Sequence, residues 1–398
     1  MPNTILTPSM ITREALRILH QKLNFVGNIN RQYDDQYAKS GAKIGDTLGI
    51  RLPNQYTVRT GKTLSTQDTT ETKVPLTVAT QKGVDINFSS AELTLSLDDF
   101  SQRILEPAMA VLAANIEADA MSMLLDVYNV VDNIGNALTL NKLLTGRKIL
   151  NDCLAPLDNN RSCLLNTQDN VDLVDALKGL FQDSTAIAKQ YKEGKMGRTA
   201  GFDFYENTLI PSQLTGTAAS ATGYTVNGAV TTNGASSVVL ATGSTTFKKG
   251  DVITFAGCNR VHPETKLDTG VPQQFVVTAD FAGGAGTLSI SPAIYTSGGM
   301  QNVTASGIPN SAAVTKVGGA SAIYKPSMVF HQDAFAFATA DLIMPKGVDF
   351  SSREVYDGIS MRIVRAYDIN NDNLPCRIDV LYGYKTLRAQ LACRILSR

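Results

Sequence analysis

Apolar residues spaced by three and four positions mark the helices of this chain. The first predicted helix lies within residues 1–40, and Thr12 is its expected N-cap. Its apolar face is formed by Leu16, Leu19, Leu23 and Val26. This stripe predicts an amphipathic helix, and we expect another surface to cover it.

A longer helix is predicted between Pro107 and Val131. Its apolar positions recur at the same spacings: Met109, Leu112, Ile116, Ala120, Met123, Val127 and Val130. Pro107 fits the first turn of a helix, where no backbone N–H is needed. Upstream, Ser96 and Asp99 form a capping signal for a preceding helical stretch.

Between residues 41 and 87 the apolar positions alternate with a period of two, which is typical of β-strands. The alternating runs are Val74/Leu76/Val78 and Val84/Ile86/Phe88. A polar tip precedes them and carries Arg59, Lys62, Asp68, Glu71 and Lys73. The pattern predicts a long two-stranded arm. Because a lone ribbon is marginally stable in water, we expect the arm to lie on another surface.

The rest of the chain divides into an α/β part and a β-rich part. Residues 140–181 predict a helix, a strand at 162–166 and a second helix. Residues 213–325 hold 16 of the 31 glycines and ten charged residues. Short runs at 237–240, 252–255, 275–278 and 287–290 predict an inserted all-β domain there. Further strands are predicted at 328–337, 361–369 and 377–382, whereas 387–395 fits a strand and a helix equally well.

Composition narrows the function. The 398 residues, 43% of them hydrophobic, can form sizeable cores in two or more domains. Lys and Arg total 36 and so do Asp and Glu, which is not typical of a dedicated nucleic-acid or membrane-surface binder. We expect neither export nor membrane insertion, because no signal peptide or run of about 18 apolar residues occurs. The five cysteines lack a C-x-x-C spacing and are expected to be reduced core thiols in a cytosolic protein.

Groups for catalysis are few. His20, His262 and His331 fall on separate predicted elements, so each is expected to be structural. The motifs of a nucleophile elbow, a zinc-protease helix and a dinucleotide-binding turn do not occur. The sequence therefore predicts no enzyme, no cofactor and no metal.

Two short stretches come close to binding motifs. Residues 61–63 (Gly-Lys-Thr) match the end of a phosphate-binding loop, but Tyr56 stands where the first glycine is required. Residues 368–373 begin like a calcium loop, but Asn373 replaces the glycine at its sixth position. A turn between two strands is the preferred interpretation of the second stretch.

Four motifs occur in a fixed order along the chain. They are 162–166 (Ser-Cys-Leu-Leu-Asn) followed by Gln168-Asp169, 193–203 leading into Leu209-Ile210-Pro211, 247–257, and 379–383 (Asp-Val-Leu-Tyr-Gly). With these motifs and this order of elements, the chain resembles the major capsid (coat) proteins of tailed double-stranded-DNA bacteriophages, which have the Johnson fold. It is most similar to the branch of the short-tailed Salmonella phage coat protein, which carries a β-barrel-like insertion domain.

The resemblance implies an α+β fold and a division of the chain. The implied parts are 1–40 as an N-terminal arm with a helix, 41–90 as an extended β loop, 91–134 as a peripheral domain with the spine helix, 135–212 and 326–398 as the two parts of an axial domain, and 213–325 as the insertion. In the family's best-studied member the insertion has a long charged loop that pairs across two-fold axes. Here residues 227–237 are short and uncharged, so those ion pairs are not expected.

The implied function is structural. Copies of the chain would self-assemble into hexamers and pentamers of an icosahedral shell, assembled in the cytoplasm of the bacterial host and found in the virion. The implied partners are further copies, a scaffolding protein, a portal protein and packaged DNA contacted non-specifically, with no membrane. The alternative is a β-rich phage tail or adhesion module, which the Gly/Thr/Ser-rich region 213–325 would suggest.

Overall fold

The structure is a computed structural model, and it describes residues 8–33, 45–64, 66–68, 71–88, 105–177, 198–241, 243–348, 350–356, 358–369 and 374–397. These residues fall into two compact units. The first unit comprises Met1–Arg51, Lys73–Met121 and Phe335–Leu387. The second comprises Leu52–Thr72, Ser122–Ala334 and Arg388–Arg398.

Helices and strands alternate irregularly along the described chain. The helices are α1 (Pro8–Lys22), α2 (Glu106–Met121), α3 (Leu140–Asp152) and α4 (Thr167–Leu177). The strands are β1 (Asn30–Tyr33), β2 (Asp46–Arg51), β3 (Lys73–Val78), β4 (Thr80–Phe88), β5 (Val130–Asp132), β6 (Arg161–Leu165), β7 (Arg198–Thr199), β8 (Phe202–Glu206), β9 (Gln213–Leu214), β10 (Ala221–Thr225), β11 (Ala235–Leu240), β12 (Val252–Val261), β13 (Asp268–Val277), β14 (Gly286–Ile294), β15 (Ala313–Lys316), β16 (Ile323–Tyr324), β17 (Ser327–His331), β18 (Phe335–Ala340), β19 (Phe350–Tyr356), β20 (Ile359–Arg365), β21 (Leu374–Thr386) and β22 (Ala392–Leu396).

The first unit is built on one sheet with the strand order β1-β18-β21-β20-β19, to which β4 is added along β21. β4 and β21 pair antiparallel over nine positions, from Phe88↔Leu374 to Thr80↔Tyr382. Helices α1 and α2 pack on each other, and α1 also covers β19 and β20. The middle of β21, from Ile378 to Gly383, is buried at every position, because both faces of the strand are covered there.

The second unit contains a sheet with the order β5-β22-β17-β6-β8-β7. β6 and β17 are buried along their whole length, since α3 and α4 pack against this sheet. Thr139 caps α3 by accepting a hydrogen bond from the Lys142 amide. The helix-strand-helix prediction for 140–181 is confirmed over its described residues.

The β-rich region of the second unit forms a barrel. Its strands follow the order β10-β15-β12-β13-β14-β11, and a bridge between Val226 and Leu240 joins the two end strands. The interior is filled by large apolar side chains such as Phe247, Phe255 and Phe275. β9 and β16 pair antiparallel at the two ends of this region, through Leu214↔Ile323 and Gln213↔Tyr324. All four strand runs expected between residues 237 and 290 are present.

Several predicted boundaries are wrong. α1 begins at Pro8, so Thr12 is a buried residue inside the helix rather than its cap. α2 ends at Met121 and tightens into a 3-10 helix over Ser122–Asp126. Val130 then enters β5 beside β22. A short strand buried on both faces has no polar side to interrupt an apolar spacing, so the helical pattern continued through it.

The predicted strand at 328–337 is two strands. A 3-10 turn, Gln332–Ala334, separates β17 from β18, and the two strands belong to different sheets. Both strands are fully buried, and the polar residues His331, Gln332 and Asp333 mark the break between them in the sequence. Residues 387–395 resolve into a 3-10 turn and β22. The helical stretch expected near Ser96 and Asp99 lies outside the described residues.

Candidate functional site: the arm, its anchors and the insertion interface

The root of the arm is the ribbon of β2 and β3, which lies on the sheet of its own unit. The two strands pair antiparallel from Asp46↔Val78 to Arg51↔Lys73. Leu76 and Val78 are buried against apolar residues of the sheet and its edge, namely Ala336, Ala338, Ala340, Leu342 and Leu381. A two-stranded ribbon is present but shorter than predicted, because the run Val84/Ile86/Phe88 belongs to β4, which pairs with β21. The chain itself provides the surface on which the root rests.

At Gly383 in β21 the ribbon backbone reaches the sheet directly. A methyl group added to Gly383 would lie 2.2 Å from the carbonyl oxygen of Thr77 and 3.0 Å from the Cα atom of Val78. No side chain fits in this space, so only glycine allows the ribbon to approach this closely.

Gly383 is the end of the 379–383 motif, and two other members of that motif make buried contacts. Asp379 accepts a hydrogen bond from Arg362 at 2.6 Å. The hydroxyl of Tyr382 donates to Asp119 of α2, also at 2.6 Å. Burial, reinforced by Asp119, raises the pKa of Tyr382 far above its ordinary value, so the phenol keeps the proton that it donates. The motif therefore fixes β21 to its neighbours around the arm root.

Beyond the ribbon, the described residues of Leu52–Thr72 contain no strand. The Leu52 amide donates to the Thr72 carbonyl at 2.9 Å and closes the base of this outer arm. Further out, the Gln67 side chain accepts from the Thr57 amide at 2.9 Å and donates to the Thr57 carbonyl at 2.5 Å. The Gln67 side chain thus makes the two hydrogen bonds that a paired backbone residue would make in a β-sheet.

The predicted tip charges all lie on the surface of the arm. Arg59, Lys62, Asp68, Glu71 and Lys73 are exposed. The guanidinium of Arg59 donates to the carbonyl of Gly61. Two apolar side chains close to these charges in the sequence are also open to solvent, Val58 at 94% and Leu64 at 77%. The contact of this tip with a neighbouring subunit stays a prediction.

The apolar face of α1 is buried within its own chain. Leu16 and Leu19 of α1, and Leu23 and Val26 beyond its end at Lys22, are each at most 5% exposed, so the predicted helix is shorter than its apolar pattern. They pack in the first unit, where α1 contacts α2, β19 and β20. Phe25, just beyond α1, meets Phe335 edge to face with ring centroids 5.5 Å apart. The same unit therefore provides the other surface that was expected to cover this stripe.

A single carboxylate joins the end of this segment to α2. Glu117 is 1% exposed and accepts from the backbone amides of Phe25 at 2.8 Å and Val26 at 3.4 Å. Burial raises the pKa of Glu117 to about 7 from its ordinary 4.5, although the amide donors favour the ionised form. Sequence reasoning missed this residue, but its signal is a lone acid within the buried face of α2, between Ile116 and Ala120.

The β-barrel is joined to the sheet of its unit by a buried polar network. Arg394 of β22 is fully buried and donates to the Gln213 side-chain oxygen at 2.7 Å and to the Gly250 carbonyl at 3.0 Å. Gln213 also donates to that carbonyl, at 2.7 Å. Asp251 next to it accepts from the Gly216 amide at 3.0 Å. Burial lowers the pKa of Arg394 to about 10, which leaves the guanidinium charged at neutral pH.

Further contacts surround this network. The Gln274 side chain accepts from the Val130 amide at 2.8 Å and donates to its carbonyl at 3.1 Å. Arg260 of β12 donates to Asp152 at the end of α3, at 3.3 Å. An apolar cluster lies between the two parts and includes Tyr128, Val130, Val252, Val276, Tyr324 and Leu396. The 247–257 motif thus supplies both barrel core and interface.

The 162–169 motif forms the start of α4. The Asn166 side-chain oxygen accepts from the Asp169 amide at 2.7 Å, and the Asp169 carboxylate accepts from the Asn166 side chain at 2.9 Å. The first of these bonds satisfies one open amide of the first turn, as a capping side chain does. The hydroxyls of Ser327 and Ser397 donate to the same carboxylate at 2.5 and 2.6 Å. Burial raises the pKa of Asp169, but the three donors hold the carboxylate in place.

The residues with catalytic potential have structural contacts. His331 is buried and lies 3.0 Å from Asp158, while its other ring nitrogen accepts from the Asp333 amide. The ring of His262 accepts from the Thr265 amide within its own turn. All five cysteines are free and buried, as predicted. Over the described ranges, no group of three or more His, Cys, Asp or Glu side chains could hold a metal ion.

One helical run, Glu106–Asp126, is long and apolar enough to cross a membrane by length and composition alone. Half of it is buried inside the fold, and core helices pass the same test. The calcium-like stretch at 368–373 lies largely outside the described residues.

Comparisons with known proteins identify a family and solved structures that this chain is similar to. A family model described as P22 coat protein, gene protein 5, matches residues 30–394. No curated protein sequence matches the chain. Similar solved structures include a chain of Mycobacterium phage Che8, with 12% identity, TM-score 0.45, and coverage of 94% of this chain and 90% of that one. A chain of the bacteriophage PhiM1 mature capsid shows 12% identity, TM-score 0.42 and coverage of 94% and 87%. A chain of a native GTA particle capsid shows 7% identity, TM-score 0.43 and coverage of 96% and 90%.

The family model covers most of the chain, including the arm, both sheets and the barrel, so the assignment rests on it. It confirms the α+β capsid fold implied by the four motifs, and it leaves the tail or adhesion alternative without support. The chain belongs to the P22 coat protein family and is a structural major capsid protein with a Johnson-type fold, located in the phage virion.

Proposed function

We propose that the chain assembles into hexamers and pentamers that close an icosahedral shell around double-stranded DNA. In this proposal the outer arm, Leu52–Thr72, docks on a neighbouring subunit. A scaffolding protein guides assembly and a portal protein occupies one vertex. The chain itself has no enzymatic activity, which agrees with the structural role of its family.

The observation that carries the proposal is the contrast between the two ends of the arm. The root is buried on its own sheet, through Leu76 and Val78, and is tightly packed at Gly383. The outer part exposes its charges together with Val58 and Leu64. Exposed apolar side chains among charges are typical of a surface that another molecule covers. A second copy of the chain is the partner that the family assignment supports.

The charge balance supports containment of DNA rather than recognition. With 36 basic and 36 acidic residues, the chain has no net charge with which to neutralise phosphates. Binding to DNA through phosphate contacts depends on released counterions and therefore on basic excess. We expect the shell to contact packaged DNA weakly and without sequence preference.

Deleting residues 62–72 tests the docking role of the arm. The deletion removes Lys62, Asp68 and Glu71 but leaves β2 and β3 paired, so the subunit should fold with an unchanged melting temperature. Coexpression with the scaffolding protein should then yield no closed shells in sedimentation and electron microscopy.

The matched control removes a charged pair from the barrel surface. Lys248 and Asp280 are exposed and 2.7 Å apart, so replacing both by serine changes no net charge and no buried contact of their side chains. This variant should form shells of normal size. Normal shells from the deleted protein would show that the arm is not the docking element.

A further inference from the structure

Part of the barrel lies against the outer arm of the same chain, and both belong to the second unit. A methyl group added to Gly299 would lie 2.4 Å from the carbonyl oxygen of Gln55 and 3.3 Å from the amide nitrogen of Tyr56. These are backbone atoms, which cannot move aside as the end of a flexible side chain can. At this point, backbone therefore packs on backbone.

The loop that carries Gly299, residues 296–302, is firmly held on the barrel. At one end, Thr296 donates through its amide to the side chain of Asn233 at 2.8 Å. At the other end, Asn302 accepts from the Tyr295 amide at 2.9 Å. The ammonium of Lys266 donates to the carbonyl of Gly299 itself at 2.5 Å. A loop fixed at both ends and at its centre presents a rigid surface.

The arm is also constrained where it meets this loop. Gln55 and Tyr56 lie between the two closures of the outer arm, the Leu52–Thr72 bond and the Thr57–Gln67 pair. Only short stretches of chain separate the contact from each closure, so movement of residues 55–56 would carry the rest of the outer arm along. Contact between two constrained segments transmits orientation from one to the other.

We propose that the 296–302 loop is a seat for the arm of its own chain and sets the direction in which the outer arm leaves the subunit. Gly299 is the positioning residue, because its lack of a side chain lets the arm backbone reach the seat. The consequence for shell assembly rests on the docking role proposed for the arm, whereas the seat itself is a property of the single subunit.

Distance measurements on the unassembled full-length subunit test the seat. Because the five native cysteines are buried, spin labels can be attached selectively to introduced cysteines at two exposed positions, Thr63→Cys on the arm and Ala305→Cys on the barrel. We expect a narrow distribution of label-to-label distances in this background. Adding Gly299→Val should at least double the width of that distribution.

Two further variants keep the test decisive. Lys266→Met removes the central tether of the loop while preserving an unbranched side chain, and it should widen the distribution even where Gly299→Val does not fold. Gly319→Ala is the matched control, because an added methyl group there meets side-chain atoms no closer than 3.5 Å. It should leave the distribution narrow. If the distance distribution keeps its width in both Gly299→Val and Lys266→Met, the proposal that the 296–302 loop is a seat for the arm is overturned.

Assembly with the scaffolding protein separates the seat from the docking role. A widened distribution together with misshapen or open shells supports the complete proposal. A widened distribution with normal shells would overturn the claim that the seat guides assembly. Normal shells from the 62–72 deletion would overturn the docking role, whereas unchanged label distances in the full-length subunit would overturn the seat, so the two failures are distinguishable.

Discussion

The guanidinium of Arg394 donates to the side-chain oxygen of Gln213 at 2.7 Å, although 181 positions separate the two residues along the chain. Gln213 opens β9 at one end of the barrel region, and Arg394 lies in β22, between β5 and β17. One buried contact thus connects the entrance of the insertion to the centre of the sheet that carries it.

Replacing Arg394 by methionine should destabilise the subunit by roughly 2–3 kcal/mol, because buried acceptors on Gln213 and Gly250 lose a charged donor. Methionine fills much of the same volume, so lost hydrogen bonds dominate over a cavity. Urea unfolding of the purified subunit measures the effect. The control is Lys385→Met at an exposed position of β21, expected within about 0.5 kcal/mol of the parent. Equal stabilities for the two variants would contradict the role of the network.

Adding one methyl group at Gly383 should loosen the arm root. The Gly383→Ala variant forces a contact with the Thr77 carbonyl, and such overpacking costs about 1–3 kcal/mol. Hydrogen exchange of the β2 and β3 amides should accelerate. Gly49→Ala is the matched control in the same ribbon, since its methyl group would meet only the Lys73 side chain at 3.8 Å. If both variants exchange at the parental rate, the ribbon does not depend on the close approach at Gly383.

The pKa of Glu117 predicts a pH-dependent stability. A carboxyl group whose pKa is raised to about 7 by folding binds a proton more tightly in the folded than in the unfolded chain. Its stabilising contribution is therefore complete below pH 4.5 and is lost as the pH rises through 7. Between pH 5 and pH 8 the parent should lose on the order of 2–3 kcal/mol from this group. Thermal melting across that range measures the loss.

Glu117→Gln cannot titrate, so the difference in stability between parent and variant should itself change with pH. Glu106→Gln is the control, because Glu106 lies on the same helix with its side chain about half exposed. That control should keep the parental pH profile. A parent and a Glu117→Gln variant with parallel profiles would show that the Glu117 carboxyl does not titrate in this range.

Local patterns predicted the elements well where one periodicity applied. The spacing of Leu16, Leu19 and Leu23 identified α1, and the alternation of Val74, Leu76 and Val78 identified β3. The same patterns could not identify the partner of either surface. An apolar stripe indicates that a helix face is buried, but it does not indicate which part of the protein covers it. Here α2 and the sheet of the same unit cover α1.

Contacts between residues far apart along the chain could not be predicted from the sequence, for a physical reason. Gly83 and Asp379 face each other in the β4–β21 pair, yet nothing in either strand alone encodes that register. Arg394 stands in a strand of buried apolar neighbours, and its acceptors, Gln213 and Gly250, lie 181 and 144 positions earlier in the chain. Such contacts depend on how the complete chain is arranged in space. They were therefore found only in the structure.

The ring of strands closed by Val226 and Leu240 restricts how crowded copies of this protein meet. An open sheet would offer unpaired amides and carbonyls, a template for indiscriminate stacking at the local concentration of a forming shell. In the barrel, those groups bond to one another around the circumference. Neighbours at the barrel must therefore recognise loops and side chains, which differ from place to place on its surface. Contacts of defined geometry between copies are therefore favoured over uncontrolled polymerisation through sheet edges.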